Sequence, residues 1–295
     1  MKRISVNALA SLVSLAFLAF VALNSTSAAQ TTCTNKSVVV SGEAGTSPNA
    51  VNKFDTVVGE YLDNATFQVH GFRWSNGTVT KYSFPGSATT TLWGINDQGA
   101  IAGSYVPPSS SREHGFILFQ GKTFAVDFPN AVRTEANGMN KAGVIAGTYF
   151  TSAAGNAAGF FRNSSGYHKL VFPGAVQTFV RAIGSNGEIA GFYIDTAGNF
   201  HGFTDVNGAF KSINFPHAAE TEVHGVNKFG TLVGLYRISS TGSAIGFTRY
   251  NTGTFASFTF SGSSSTSLDG INNLGDRTGG AVLAHSEPGF LRICR

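Results

Sequence analysis

The chain has 295 residues, of which 12% are charged and 12% aromatic, and it contains 36 Gly and 26 Phe. This composition argues against intrinsic disorder, which needs high charge and few aromatic residues. It suits many short buried strands that are joined by tight turns. The formal net charge of +4 is small, and its carriers are scattered, so the chain has no basic footprint of the kind that indicates a nucleic-acid partner.

The N-terminus has the pattern of a secretory signal peptide. Lys2 and Arg3 precede a mostly apolar run at residues 8–23, and residues 27–29 are small. A basic start, an apolar centre and a small-residue cleavage site are typical of an export signal. We therefore predict cleavage after residue 29 and a protein secreted outside the cell or into the periplasm. The alternative is a retained membrane anchor, although the apolar run is short for a span.

The rest of the chain is a repeat of about 44 residues. The phrase at residues 94–105 returns at residues 138–149 and 225–236, and looser copies begin at residues 50, 182 and 270. One glycine of the phrase recurs six times: Gly59, Gly103, Gly147, Gly191, Gly234 and Gly279. A Gly-Phe pair also recurs six times, beginning at Gly71, Gly115, Gly159, Gly202, Gly246 and Gly289. Such a regular period indicates a repeat architecture.

Each copy reads as four antiparallel strands. In the second copy, strands are predicted at residues 92–96, 100–106, 114–119 and 123–128, and Pro129 ends the last strand. Four strands in 40–50 residues match the size of a β-propeller blade. We therefore predict an all-β fold, a single six-bladed β-propeller over residues 30–295. The copies are predicted near residues 46–85, 90–129, 134–173, 178–216, 221–261 and 266–294.

Two packing features follow from this architecture. Phenylalanines recur three times in a blade, as Phe116, Phe124 and Phe128 do, and we expect them to fill the space between neighbouring blades. The recurrent strand glycine, such as Gly103, is expected where an aromatic ring of the neighbouring blade lies against bare backbone.

The last copy ends before its fourth strand, and the repeat register supplies that strand from the N-terminus. Residues 37–41 align with the fourth strand of a blade, so we predict that they pair with residues 289–294 and close the ring. The same register aligns Cys33 and Cys294 with adjacent positions in a hairpin turn of the fourth copy. These are the two cysteines of the chain, and we predict a disulfide between them. The alternative is a pair of unpaired buried thiols.

Several recurrent residues resemble functional motifs but are predicted to be structural. The Asn-Asp-Gln-Gly turn resembles a calcium loop, yet Lys53, Lys141 and Lys228 occupy the position of its Asp, and calcium needs several convergent oxygens. His70, His114 and His201 recur in three copies and fall in separate blades. A tyrosine also recurs two residues after the strand glycine, and its repetition indicates packing. We predict neither a metal nor a cofactor.

The candidate site consists of positions where the copies differ. A threonine recurs before each first strand, in the series Thr46, Thr90, Thr134, Thr178, Thr221 and Thr266, but the residues one and three positions later vary. If the first strand is innermost, these side chains converge near one mouth of the channel. The strongest candidates for ligand binding are Asn49, Trp93, Glu135, Asn137, Arg181, Glu222, His224 and Asp269. The alternative is that these positions vary because they are solvated.

The repeats resemble a known group of bacterial secreted proteins. The phrase Gly-Ile-Asn-x-x-Gly-x-Ile-x-Gly-x-Tyr, the His-Gly-Phe mark and the Phe-Pro-Gly link are similar to those of the HAF extracellular repeat family, over roughly residues 37–294. The chain departs from that family's short motif at Gly71, where the family has Ala. The resemblance implies a secreted, propeller-like protein, and it transfers no catalytic residue.

Two classes of function remain open from the sequence. The favoured hypothesis is a non-enzymatic, monomeric binding or interaction module, whose partner is a small polar ligand, a glycan or a protein. The alternative is a secreted hydrolase or lyase acting on a polysaccharide or small polar substrate. In that hypothesis Glu135, Glu222 or Asp269 is the acid or base, and His224 or Arg181 assists.

Overall fold

The computed structural model describes residues 32–284 and 286–294. The predicted signal peptide lies outside these residues. Within them the chain forms strands, turns and loops without a helix. No segment of this part of the chain therefore forms a helix long and apolar enough to cross a membrane.

The described residues form 25 strands. The first strand is β1 (Cys33–Val38). Blade 1 follows as β2 (Gly45–Val51), β3 (Val57–Leu62), β4 (Val69–Ser75) and β5 (Thr78–Tyr82). Blade 2 contains β6 (Thr89–Ile95), β7 (Ile101–Val106), β8 (His114–Phe119) and β9 (Lys122–Val126). Blade 3 contains β10 (Arg133–Met139), β11 (Ile145–Phe150), β12 (Ala158–Asn163) and β13 (Gly166–Leu170). Blade 4 contains β14 (Gln177–Ile183), β15 (Ile189–Ile194), β16 (Phe200–Val206) and β17 (Ala209–Ile213). Blade 5 contains β18 (Glu220–Val226), β19 (Leu232–Arg237), β20 (Ile245–Arg249) and β21 (Phe255–Phe258). Blade 6 begins with β22 (Ser265–Thr266) and β23 (Gly270–Ile271), continues with β24 (Arg277–Val282) and β25 (Gly289–Cys294), and is completed by β1.

The six sheets form a six-bladed β-propeller, as the repeat predicted. Each of the first five sheets is a four-stranded antiparallel meander in chain order. The first strands of successive blades contact one another, and β2 also contacts β23 of the last blade. The first strands therefore surround the axis of the ring. This confirms that the variable positions of the repeat lie on the innermost strands.

The N-terminal strand closes the ring, but over a different segment from the one predicted. β1 pairs with β25 from Cys33 opposite Cys294 to Val38 opposite Gly289. The strand thus begins four residues before the predicted range of 37–41 and shares only Ser37 and Val38 with it. Val40 has left the strand because its backbone N–H donates to Thr46 Oγ1 at 3.0 Å. The predicted disulfide joins Cys33 to Cys294 across 261 residues.

The recurrent threonine joins each blade to the segment before it. Its hydroxyl oxygen accepts a hydrogen bond from the backbone N–H six residues earlier, and this occurs in all six copies. The donor and acceptor pairs are Val40–Thr46, Phe84–Thr90, Phe128–Thr134, Phe172–Thr178, Phe215–Thr221 and Phe260–Thr266. All six threonines are buried. A buried backbone donor needs such a partner, which explains why this position does not vary.

Aromatic rings fill the contacts between blades. Phe84 follows blade 1 and stacks on Tyr105 of blade 2 with ring centroids 3.7 Å apart, and three later blades repeat the pair. Phe116 is also buried at this contact. The prediction fails for Phe124, which is 52% exposed, because its position on the outer strand faces solvent.

The strand glycine is required by contacts within its own blade. A Cβ on Gly103 would lie 2.5 Å from the backbone oxygen of Thr91 and 2.7 Å from Cζ of Phe116. Both contacts belong to blade 2. The prediction of an aromatic ring against bare backbone is therefore correct, but the ring comes from the same blade and not from the neighbouring one.

The three recurrent histidines contact residues of their own blades. His114 Nδ1 lies 3.0 Å from Asp127 Oδ2, and His201 Nδ1 lies 2.9 Å from Asn214 Oδ1. His70 makes the corresponding contact with Ser83. Each imidazole also lies against the recurrent tyrosine of its blade. These contacts give the histidines a local structural role.

We predict that the disulfide is a main determinant of stability at the closing blade. Without it, the two ends of the chain are joined by non-covalent contacts, chiefly the pairing between β1 and β25. A loop of this length corresponds to an entropic stabilisation on the order of 5 kcal/mol, as an upper bound. The double variant Cys33→Ser, Cys294→Ser should keep the fold, melt several degrees below the wild type, and be cleaved faster by protease near residues 33–45.

The control for this prediction is reductant. It should lower the melting temperature of the wild type and leave that of the double variant unchanged. Equal melting temperatures for the oxidised wild type and the double variant would contradict the stabilising role of the bond.

Candidate functional site

A β-bulge in each inner strand turns one side chain toward the axis. In blades 1 to 5 the pairing of the first and second strands slips by one residue, for example between Ala136 and Gly138. In blade 6 the slip separates β22 from β23. A bulge leaves one residue unpaired and redirects its side chain. The six bulge residues, named here the axial ring, are Asn49, Trp93, Asn137, Arg181, His224 and Asp269.

The axial ring lines a cavity on the axis of the propeller. The cavity has a volume of ≈ 400 Å³ and is bounded by the axial ring together with the turns that follow the inner strands. A smaller cavity of ≈ 30 Å³ is lined by the six residues of the axial ring alone. Residues from all six blades therefore face one another here, and their side chains are chemically diverse.

The structure brings together six of the eight candidate residues. Glu135 and Glu222 do not line the cavity. The bulge explains the difference, because these two residues precede it and remain paired, Glu135 with Thr148 and Glu222 with Leu235. Side chains alternate between the two faces of a regular strand, but a bulge interrupts this alternation. The sequence pattern therefore grouped residues that the backbone separates.

His224 is held between two carboxylates. Its Nδ1 lies 2.8 Å from Asp269 Oδ1, and its Nε2 lies 3.2 Å from Glu222 Oε2. Burial lowers the pKa of His224, but the hydrogen bonds to Asp269 and Glu222 outweigh it and raise that pKa above its ordinary value. Burial likewise acts to raise the pKa of Glu222, but its contacts with His224 and the charges of Arg181 and Arg237 hold it below its ordinary value. Each imidazole nitrogen thus faces a carboxylate oxygen, and the raised pKa favours the imidazolium, which has no lone pair for base catalysis.

Arg181 lies between aromatic faces. Its guanidinium carbon is 5.4 Å from the ring centroid of Trp93 and 5.8 Å from that of Phe192. Cations are attracted to the faces of aromatic rings. The indole N–H of Trp93 donates to Ser104 at 2.9 Å, which fixes the ring. Among the described residues none accepts a hydrogen bond from the Arg181 guanidinium.

Asn137 carries an unused acceptor. The residue is 3% exposed and lines both cavities. Its Oδ1 is buried and accepts no hydrogen bond from the part of the chain that the structure describes. An unsatisfied buried polar atom costs about 1–3 kcal/mol. A native protein retains such an atom only where something offsets the cost, and ligand binding is one such reason.

A group of three glutamates lies outside the cavity lining. Glu113 accepts hydrogen bonds from Ser104 at 2.6 Å and from Arg133 Nε at 3.0 Å. Arg133 also donates to Glu135 at 3.1 Å, while Glu60 accepts from Thr91 at 2.7 Å.

The environment of Glu135 and Glu60 favours protonation of their carboxylates. Burial raises the pKa of Glu135 to about 7, and the charges of Glu113 and Glu60 add to this shift, while Arg181 and Arg133 oppose it. Burial also raises the pKa of Glu60. A carboxyl with a pKa near 7 can donate or accept a proton at neutral pH.

The sequence interpretation missed the turns at one end of the cavity. Asn273 Nδ2 donates to Asp97 Oδ2 at 3.0 Å and approaches Ser185 Oγ at 3.5 Å, so residues from blades 2, 4 and 6 meet across the axis. The corresponding residues of blades 1, 3 and 5 are Lys53, Lys141 and Lys228, which are exposed. The sequence did mark this turn position as a candidate, because its residue type varies among the copies, as it does in the axial ring.

The turn asparagines explain why these turns resemble calcium loops. Asn96 Oδ1 accepts from the backbone N–H groups of Gln98 and Ala100, and Asn140 and Asn227 repeat the pattern. This oxygen is therefore committed to the turn. Within the described ranges, no three His, Cys, Asp or Glu side chains are grouped so that they could hold a metal ion.

Comparisons with known proteins identify the fold and nothing finer. No family model matches the chain, and no curated protein matches it. A mutant of the Aleuria aurantia lectin in complex with Fucα1-6GlcNAc is similar in structure, with a TM-score of 0.53, 11% sequence identity, and coverage of 88% of this chain and 96% of the lectin. The Hadza microbial sialidase has a TM-score of 0.53 and 9% identity over 85% of this chain and 65% of its own.

A third similar structure is TolB from Acinetobacter baumannii, with a TM-score of 0.53 and 13% identity. The match covers 71% of this chain and 52% of the TolB chain. At these levels of identity the three similarities establish a common propeller architecture. Among them are a protein that binds a glycan and an enzyme, so the fold alone is compatible with binding and with hydrolysis.

We predict that Asn137→Leu stabilises the protein. Leucine has nearly the shape of asparagine and removes the unpaired Oδ1, whose burial costs about 1–3 kcal/mol. In a domain of this size, each kcal/mol corresponds to about 2–4 °C in melting temperature. Thermal denaturation should therefore show a rise of a few degrees. The same substitution at the exposed turn residue Asn251 is the matched control and should raise it less. A lower melting temperature for Asn137→Leu would contradict the unpaired acceptor.

We also predict that Glu135 makes stability depend on pH. Its folded-state pKa of about 7 exceeds the ordinary value of 4.5. Its contribution to stability is therefore full below pH 4.5 and is lost as the pH rises through 7. Glu135→Gln cannot ionise, so its melting temperature relative to the wild type should be higher at pH 8 than at pH 5. The exposed Glu287→Gln variant controls for the change in chemistry. A difference that does not vary with pH would contradict the raised pKa.

Proposed function

We propose that this protein is a secreted binding module that holds a small polar ligand in its axial cavity. The observation that carries the proposal is the unpaired, buried Oδ1 of Asn137 in a cavity of ≈ 400 Å³. Cavities of this size are typical of small-molecule sites, in which a few polar groups fix the orientation of the ligand. A ligand that hydrogen-bonds to the side-chain amide of Asn137 would offset the cost of burying this group.

The distribution of variation among the blades supports the same proposal. The recurrent threonine makes the same hydrogen bond in all six blades. By contrast, the axial ring contains two asparagines, a tryptophan, an arginine, a histidine and an aspartate. Packing requirements that are repeated six times do not explain this difference in chemistry. An asymmetric ligand on the axis of a nearly symmetric ring would explain it.

The proposed location and family have separate support. A disulfide closes the ring, and disulfides persist mainly in oxidising compartments outside the cytosol. The signal-peptide pattern at residues 1–29 agrees with this location. We also propose membership of the HAF extracellular repeat family or of a sister group. This proposal depends on the repeat phrase, the His-Gly-Phe mark and the Phe-Pro-Gly link in the sequence.

A hydrolase or lyase is the second candidate, and Glu135 is the observation that favours it. Its pKa of about 7 is suitable for general acid or base catalysis. However, Glu135 does not line the cavity, and the other proposed residues are engaged. His224 is hydrogen-bonded to two carboxylates, and Asp269 also accepts from Ser267 at 2.7 Å. The binding function therefore accounts for more of the site than the catalytic one.

A thermal-shift screen tests the binding function. The oxidised protein is heated with neutral monosaccharides, sugar acids, amino sugars and amino acids. We expect at least one class to raise the melting temperature of the wild type and not that of Asn137→Leu, while Asn251→Leu responds like the wild type. A shift that persists fully in Asn137→Leu would show that the ligand binds elsewhere.

An assay of substrate turnover distinguishes the binding function from the enzymatic one. The binding function predicts no release of nitrophenol from 4-nitrophenyl glycosides. Hydrolysis that is lost in Glu135→Gln would support the enzyme instead.

A further inference from the structure

The hydrogen-bonding capacity of the axial ring is unevenly used. His224 and Asp269 bond to each other and to Glu222 and Ser267. Trp93 donates to Ser104, and Asn49 donates to the backbone oxygen of Leu92 at 3.0 Å. In contrast, Arg181 and the Oδ1 of Asn137 have no hydrogen-bond partner among the described residues. A ligand in the cavity can therefore meet the guanidinium of Arg181 and the side-chain amide of Asn137.

These two residues lie at corresponding positions in adjacent blades. Asn137 is the bulge residue of β10 and Arg181 that of β14, and the two strands contact each other. Both residues line the cavity and its smaller neighbour. One small molecule can thus reach both at once. We infer that the ligand is a hydroxylated carboxylate of the sugar-acid class, whose carboxylate is bound by Arg181 and whose hydroxyl hydrogen-bonds to the side-chain amide of Asn137.

The chemistry of the two groups supports an acid over a neutral sugar. A guanidinium presents a planar fork of donors that matches a carboxylate. The aromatic rings of Trp93 and Phe192 hold the guanidinium without using its N–H groups. A neutral sugar would offer the guanidinium only neutral acceptors, whereas a carboxylate forms charge-assisted hydrogen bonds, which are roughly twice as strong. A hydroxyl next to the carboxylate can hydrogen-bond to the side-chain amide of Asn137.

The charges around the cavity also favour an anion. The charged lining consists of Lys53, Lys141, Lys228, Arg181 and His224 on the positive side and Asp97 and Asp269 on the negative side. His224 is paired with Asp269 and with Glu222, which lies outside the lining and whose pKa is held below its ordinary value by His224, Arg181 and Arg237. Glu60 and Glu135 also approach Arg181 from outside the lining. Burial raises the pKa of both, that of Glu135 to about 7, which weakens the negative charge of Glu135 near neutral pH. A cationic ligand would meet repulsion from most of the lining.

This inference rests on the proposed binding function, and isothermal titration calorimetry tests it. The probes are D-glucuronate and D-galacturonate, their neutral counterparts D-glucose and D-galactose, and cationic D-glucosamine. We expect at least one acid to bind at least tenfold more tightly than its neutral counterpart, and glucosamine to bind most weakly. No binding by either acid, or equally tight binding by a neutral or cationic sugar, would overturn the inference.

Variants test the two contacts separately. Arg181→Gln should weaken binding of the acid at least tenfold, and Arg181→Lys, which keeps the charge but not the fork, should weaken it less. Asn137→Asp should also weaken it because a second carboxylate repels the ligand. The matched control is Arg73→Gln on an exposed face of β4, which should bind as the wild type does. Each variant is first checked for an unchanged circular dichroism spectrum. Equal affinities for Arg181→Gln and Arg73→Gln would refute the contact with the carboxylate.

The outcomes distinguish the two proposals. Binding of a neutral or cationic sugar that is abolished by Asn137→Leu would refute the acid class and leave the axial cavity as the binding site. Binding of an acid that no cavity variant changes would refute both the cavity and the ligand class.

Discussion

Closure of the ring is the constraint on which the remaining structure depends. Each blade packs against two neighbours, and the sixth has its fourth strand only because β1 pairs with β25. The Cys33–Cys294 bond covalently joins these two strands. Once the ring is closed, the six inner strands have no freedom to separate, and their bulges must face a common axis. The geometry of the candidate site is therefore a consequence of a contact at the outer edge of the propeller.

The repeat separates the residues that maintain the fold from those that give the protein its chemistry. The threonine hydrogen bond, the Phe–Tyr stacks and the strand glycine recur because every blade has the same packing problem. The bulge residue is exempt from strand pairing, and its side chain faces the axis, where it meets residues of other blades. It can therefore differ in each copy with little effect on the ring, and six such positions provide an asymmetric site in a nearly symmetric scaffold.

The fold was predictable from the sequence because residues that recur with a fixed period make the same packing contacts in every blade. The six-bladed architecture, the closure by an N-terminal strand and the disulfide all followed from the repeat register. The site was only partly predictable, since the bulge breaks the alternation that grouped Glu135 with Asn137 and Glu222 with His224. The contacts of Asn273 with Asp97 and Ser185 join residues 176 and 88 positions apart. Nothing local in the sequence indicates that their side chains meet across the axis.

The most direct test of this account is a crystal structure of the oxidised protein grown with D-glucuronate or D-galacturonate. The account predicts one sugar acid on the axis, with its carboxylate within hydrogen-bond distance of the Arg181 guanidinium and a hydroxyl within hydrogen-bond distance of the Asn137 side-chain amide. It also predicts that His224 keeps both of its carboxylate contacts in the complex. A sugar acid bound between blades on the outside of the ring, with Arg181 and Asn137 uninvolved, would contradict the account.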